Sequence, residues 1–185
     1  MRYLTLANQL TILRMLLIPV FVLLVVYDQL GAAFATFLVA GLTDALDGLA
    51  ARWAGERSKF GAWLDPAADK LLLVTTFIIL TLPAIPLANH IPLWLTILVI
   101  SRDVVIVAVV AIVNLAIGPR TFRPSIWGKL ATATYILMVV VVMYFNWLRQ
   151  QSVVIDTLVA LSLSLTLVSA GDYFWRVRKI VNEGH

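Results

Sequence analysis

Four aspartates in two close pairs carry the strongest chemical signal in the sequence. Asp44 and Asp47 are three residues apart, and Asp65 and Asp69 are four apart. On a helix either spacing puts both members of a pair on one face. Each pair adjoins a long apolar run, where ionised carboxylates are costly: insertion scales give about 2.5–3.5 kcal/mol for one aspartate at mid-membrane. Mutual repulsion adds to that cost or forces protonation. A divalent cation replaces repulsion by coordination. Oxygen-only ligands suit Mg²⁺, Mn²⁺ or Ca²⁺. The chain has no cysteine, and neither His90 nor His185 lies near these acids in sequence, so zinc is disfavoured. Four carboxylates are enough to share two ions.

The residues between the pairs suit a phosphate ligand. The string reads Asp44-Ala-Leu-Asp47-Gly48-Leu-Ala-Ala51-Arg52, then eight residues, then Gly61-Ala-Trp-Leu-Asp65-Pro-Ala-Ala-Asp69. A helical glycine such as Gly48 costs about 1 kcal/mol relative to alanine, a cost that close approach of a flat ligand to the backbone would justify. Close helix packing is the plainer use of Gly48 and Gly61. Arg52 is a permanent cation whose fork matches phosphate oxygens. Cations, an arginine and small residues together describe a diphosphate or nucleotide site.

The elements that must position these groups are membrane spans. Of 185 residues 62% are hydrophobic and 13% charged, whereas soluble domains are about half apolar and one quarter charged. A spanning helix needs roughly 20 apolar residues, and six segments qualify: 7–27, 31–53, 62–82, 91–117, 126–148 and 152–175. The sequence therefore predicts an all-α polytopic membrane protein with six transmembrane helices. It forms a single domain over 1–185, without linker, repeat or low-complexity tract. The first apolar run follows Arg2 and Arg14 but lacks a small-residue cleavage site, so it reads as a span, not a signal peptide. Arg2, Arg14, Arg52, Arg57, Lys59, Arg120, Arg123, Lys129, Arg176, Arg178 and Lys179 fall on or near one side, and Arg149 on the other. The positive-inside rule makes the first side cytoplasmic and puts both termini there, with the acidic pairs near the same side. The net charge of +4 comes without a basic-aromatic patch, so no nucleic-acid partner is expected.

The acid–glycine–arginine string is similar, at every defining position, to the signature of the CDP-alcohol phosphotransferase family. The similarity extends along nearly the whole chain. Ala7-Asn8-Gln-Leu-Thr11-Ile-Leu-Arg14-Met-Leu-Leu-Ile-Pro19 resembles the opening of phosphatidylglycerophosphate synthases, as do Ser101-Arg102-Asp103 and Trp127-Gly128-Lys129-x-x-Thr132. The resemblance implies an enzyme of the cytoplasmic (inner) membrane of a bacterium, its active site facing the cytoplasm. It would move a phosphatidyl group from CDP-diacylglycerol to an alcohol and release CMP. It further implies that Asp44, Asp47 and Asp65 bind one Mg²⁺ or Mn²⁺, and that Asp44, Asp65 and Asp69 bind or approach a second. Asp69 would be the general base, and Gly48, Arg52 and Gly61 would contact the cytidine diphosphate. Membrane lipids are expected partners, and homodimerisation stays open.

The acceptor is less constrained. Arg102, Arg120, Arg123 and Lys129 map to the fourth and fifth spans and the loop between them, and could hold an anionic acceptor: glycerol 3-phosphate first, phosphatidylglycerol second. Plainer roles are an intramembrane ion pair for Arg102 with Asp103, and loop charges for the other three. Three departures weaken the case for a small phosphorylated acceptor: Val109-Val110-Ala111 stands where the resembling enzymes have a second arginine, Ala131 where lysine is common, and Tyr135 where glutamine is expected. Lys70 reads as a charge partner of Asp69. Asn8, Thr11 and Arg14 read as an interfacial helix start, and Trp63, Trp94, Trp127, Trp147 and Trp175 as interface anchors. A small ion-coupled transporter is the remote alternative. It would need repeats and broken helices and has no use for the fixed glycine and Arg52 spacing.

Overall fold

A computed structural model describes residues 6–54, 61–117 and 125–183. Within these ranges the side chains of 6–8, 44–54, 61–67, 69, 113–114, 116–117, 177 and 179–183 lie outside the described residues. All regular secondary structure among the described residues is helical: α1 Leu6–Val26, α2 Leu30–Ala54, α3 Gly61–Thr81, α4 Leu93–Ile117, α5 Ile126–Trp147 and α6 Val153–Glu183. Among the described residues four helices are long and apolar enough to cross a membrane, within α1, α4, α5 and α6. The apolar stretches of α2 and α3 are shorter, Leu30–Thr43 and Lys70–Thr81, and both helices continue into the segments that carry the acids. Helix starts and ends fall within about two residues of the sequence expectation, except for α6. That helix runs on to Glu183, past the apolar window that ends at Arg176. At the end of the apolar window an i,i+4 pair forms, Arg176 Nε donating to Asp172 Oδ2 at 2.9 Å.

The chain forms two compact units interleaved in sequence. The first comprises 1–90 and 140–151. Here α1 packs on both α2 and α3. Among the described residues those buried in α2 are Leu30, Ala33, Phe37 and Ala40, at steps of three and four; those of α3 include Ala68, Leu72, Thr76 and Leu80. Phe21 of α1 meets Phe37 of α2 with ring centroids 6.1 Å apart. The end of α5 completes this unit. A Cβ on Gly31 would come 2.8 Å from the Trp147 indole nitrogen, so glycine is what lets the indole lie against α2. The Asn146 side-chain amide, fully buried, accepts from the Asn89 backbone N–H at 2.7 Å and donates to the Asn89 carbonyl at 3.0 Å. It thereby satisfies the polar backbone of the α3–α4 connection, as apolar surroundings require.

Helices α1 and α5 end alike. Gln29 N–H donates to the Leu24 carbonyl and Asp28 N–H to that of Val25; Gln150 and Arg149 repeat the pattern on Phe145 and Asn146. These are Schellman closures. Asp28 (φ 61°) and Arg149 (φ 56°) occupy the left-handed position.

The second unit comprises 91–139 and 152–185, in which α4 packs on α6. The buried positions of α6 run Ile155, Leu158, Ser162, Thr166 and Ser169. Their steps of three and four define one helical stripe that turns from aliphatic to hydroxylated along its length. Thr166 hydrogen-bonds the Tyr135 hydroxyl, and Ser162 donates to the Met138 sulfur at 3.7 Å.

Candidate functional site

The acidic motif sits on unbroken helical backbone: Asp44, Asp47, Gly48 and Arg52 in α2, and Gly61, Asp65 and Asp69 in α3. Their side chains lie outside the described residues. The α2 stripe Leu30, Ala33, Phe37, Ala40, continued by steps of four and three, reaches positions 44 and 47. The α3 stripe read back from Leu72 and Ala68 reaches positions 69 and 65 by steps of three. Both stripes belong to helices that share α1 as a packing partner. By sequence register alone, positions 44 and 47 fall in step with the described stripe of α2, and 65 and 69 with that of α3. The donor set, carboxylates without thiolate or imidazole, fits hard divalent cations.

Helix α1 contributes a feature read differently from sequence. Thr11 and Arg14 are fully buried, on the same stripe as Phe21 and Val25. An interfacial helix start would leave them at the surface, so that reading is corrected: Arg14 is an interior cation. Twelve residues separate it from the end of α1 at Val26, a depth of about 18 Å at 1.5 Å per residue. The same distance into α2 from Leu30 ends two residues short of Asp44. The signal was present in the sequence, since Thr11, Arg14, Phe21 and Val25 keep one register. Asn8 and Trp63 lie outside the described residues. Lys70 is exposed, as are Trp94, Trp127, Trp147 and Trp175, which suits interface anchors.

The proposed acceptor residues divide. Arg120 and Arg123 lie outside the described residues. Lys129 is exposed, on the first turn of α5. Arg102 is largely buried, its side chain 12% exposed. Its Nη1 donates to Asp103 Oδ1 at 2.8 Å and its Nη2 to Ser169 Oγ at 2.6 Å. The ion pair foreseen as the plainer alternative therefore exists, but it leaves donors of the guanidinium uncommitted. The Ser101-Arg102-Asp103 and Trp127-Gly128-Lys129 motifs, separate in sequence, meet here: Gly128 lies beside the Arg102 guanidinium. Sequence reading missed Ser169, although Ser162, Thr166 and Ser169 in one register of an apolar span were a usable sign. Two departures also find their place. Ala131 and Tyr135 are buried in the core of this unit. There they pack where a lysine or glutamine would have needed polar partners.

The family model for CDP-alcohol phosphatidyltransferases matches residues 4–168. A human protein named cardiolipin synthase (CMP-forming) is 34% identical over 96% of this chain, which spans 63% of that protein's length. A Mycobacterium tuberculosis protein named probable phosphatidylglycerophosphate synthase is 33% identical over 95% of this chain and 82% of its own length. A Pseudomonas fluorescens protein named CDP-diacylglycerol–glycerol-3-phosphate 3-phosphatidyltransferase is 40% identical over 55% of this chain and 52% of its own length. With a family match over almost the whole chain and its acidic motif on two helices that share α1, this protein belongs to the CDP-alcohol phosphatidyltransferase family.

Proposed function

We propose that this chain is a single membrane domain that transfers a phosphatidyl group from CDP-diacylglycerol to an anionic alcohol and releases CMP. The observation that supports this reading is the family match over residues 4–168, which takes in the motif of Asp44, Asp47, Asp65 and Asp69 on α2 and α3. Those carboxylates would hold two Mg²⁺ or Mn²⁺ ions. When bound, the ions supply charge neutralisation of the diphosphate and of the departing CMP. Gly48 and Gly61 let the cytidine diphosphate approach the backbone, and Arg52 contacts its phosphate oxygens.

Asp69 accepts the proton of the acceptor hydroxyl as that oxygen attacks the phosphorus bearing diacylglycerol. A bond forms from the acceptor oxygen to this phosphorus, and the bond from the phosphorus to the bridging diphosphate oxygen breaks. CMP carries the electron pair away. Phosphoryl chemistry of this kind depends on positioning and charge neutralisation more than on a covalent enzyme intermediate.

Arg102, with Arg120, Arg123 and Lys129, is the proposed contact for the acceptor's phosphate. Glycerol 3-phosphate is the first candidate, supported by the names of the Mycobacterium and Pseudomonas relatives. Phosphatidylglycerol is the second, supported by the human relative's name and by the burial of Ala131 and Tyr135. The chain would span a bacterial cytoplasmic membrane six times, termini and active site on the cytoplasmic side, as the distribution of Arg and Lys favours. The deciding experiment gives the purified protein CDP-diacylglycerol with each alcohol and identifies the lipid product by mass spectrometry. Phosphatidylglycerophosphate from glycerol 3-phosphate is the expected product. Cardiolipin alone would select the second acceptor, and no CMP release with either would refute the reading.

A further inference from the structure

Three elements converge on the Arg102 guanidinium. From α4 itself Asp103 accepts from Nη1, and from α6 Ser169 accepts from Nη2. From α5 comes a space: a Cβ on Gly128 would lie 3.0 Å from Nη2, 3.3 Å from Ser125 Oγ and 3.5 Å from Ser169 Oγ. The backbone at that space is fixed. Ser125 caps α5, its hydroxyl accepting from Gly128 N–H at 2.9 Å and its carbonyl from Lys129 N–H at 3.1 Å. A guanidinium has five N–H donors in a rigid plane. The two bonds above engage one donor on each terminal nitrogen. Nε is buried and has no hydrogen-bond partner among the described residues.

We propose that Gly128 and Ser169 are positioning residues: Ser169 fixes the rotation of the Arg102 fork and Gly128 leaves the space it occupies, so that its remaining donors meet the acceptor's phosphate. The inference rests on the reading of Arg102 as an acceptor contact. Ordinary close packing is the competing explanation for Gly128. It predicts a loss of stability on substitution, without any preference between the two substrates. Alanine separates the explanations, because the atom it crowds is the far end of a flexible side chain. The helices can stay in place while the guanidinium moves, and bidentate recognition is sensitive to such a shift.

The test measures kcat and KM of the purified full-length protein, with glycerol 3-phosphate and phosphatidylglycerol as separate acceptors. Gly128→Ala and Ser169→Ala should each raise the KM of the preferred acceptor about tenfold, the size expected for one charge-assisted hydrogen bond. The KM for CDP-diacylglycerol should stay within about twofold. Ser169→Thr, which keeps the hydroxyl, should stay near the parent. In an Arg102→Ala background neither alanine substitution should add to the defect, because both act through the guanidinium. If Arg102→Ala raises the acceptor KM while Gly128→Ala and Ser169→Ala do not, the positioning role is wrong and the acceptor reading stands. If Arg102→Ala leaves acceptor kinetics unchanged, both fall. Should Gly128→Ala fail to fold, the Ser169→Ala and Ser169→Thr pair decides the matter.

Discussion

Asp28 and Arg149, the residues that close α1 and α5 in left-handed backbone, join their side chains across the two turns, Arg149 Nη2 to Asp28 Oδ2 at 2.5 Å. A left-handed conformation costs a residue with a Cβ roughly 1–2 kcal/mol. The ion pair that accompanies it is about half exposed on both sides, and such pairs contribute about 0.2–1 kcal/mol. Backbone relief should therefore match or exceed the lost pair. Arg149→Gly is expected to leave stability unchanged or raise it by about 1 kcal/mol, read by thermal unfolding in detergent. Arg149→Val, β-branched at the same φ, should lower it. A clear loss in the glycine variant would show that the pair dominates.

Arg14 is buried within α1. Removing one partner of a buried ionic arrangement costs about 3–5 kcal/mol. Arg14→Leu should lower the unfolding midpoint markedly, and Arg14→Lys, which keeps the charge without the fork, should fall between. Parent-like stability in the leucine variant would mean that the charge is not compensated inside the protein.

Asp69→Asn should retain binding of CDP-diacylglycerol and lose turnover by at least about a hundredfold, the lower range for loss of a general base. Asp44→Asn should weaken metal binding as well, seen as a higher Mg²⁺ requirement. Turnover near normal in the Asp69 variant would remove that residue from the base role.

Chelation should abolish activity, and Mg²⁺ or Mn²⁺ should restore it, because four carboxylates without soft ligands suit hard cations. Full turnover in chelator, with metal content measured, would contradict the two-ion arrangement.

The chain contains no cysteine, so single cysteines report topology cleanly. Ala88→Cys should react with an impermeant reagent from outside intact cells, and Arg57→Cys should not. Reversal of the two would invert the orientation drawn from the positive-inside rule.

How much of this was legible in the sequence depends on which physical force placed each residue. Helix positions followed from apolar length, because span length is fixed by the bilayer. The end of α6 did not, since that helix runs on to Glu183, past the apolar window that ends at Arg176. That the acidic motif lies on helical backbone was legible, because its spacing matches the helical repeat. Arg14 was misread because charge was weighed above register, while its neighbours Thr11, Phe21 and Val25 already marked an inward face. Ser169 and Gly128 were illegible as partners of Arg102, because nothing local in sequence says which helices meet.

The clasp between Asn146 and Asn89 has a consequence for biogenesis. Its partners are 57 residues apart, whereas the α1–α2 contacts join helices that are neighbours in the chain. As the nascent chain leaves the ribosome, the first two helices can associate early, because the loop that joins them is short. The amide that satisfies the Asn89 backbone is not synthesised until α5 is nearly complete. The order of synthesis thus makes the closure of this unit through Asn146 a late event, separate from the pairing of α1 with α2.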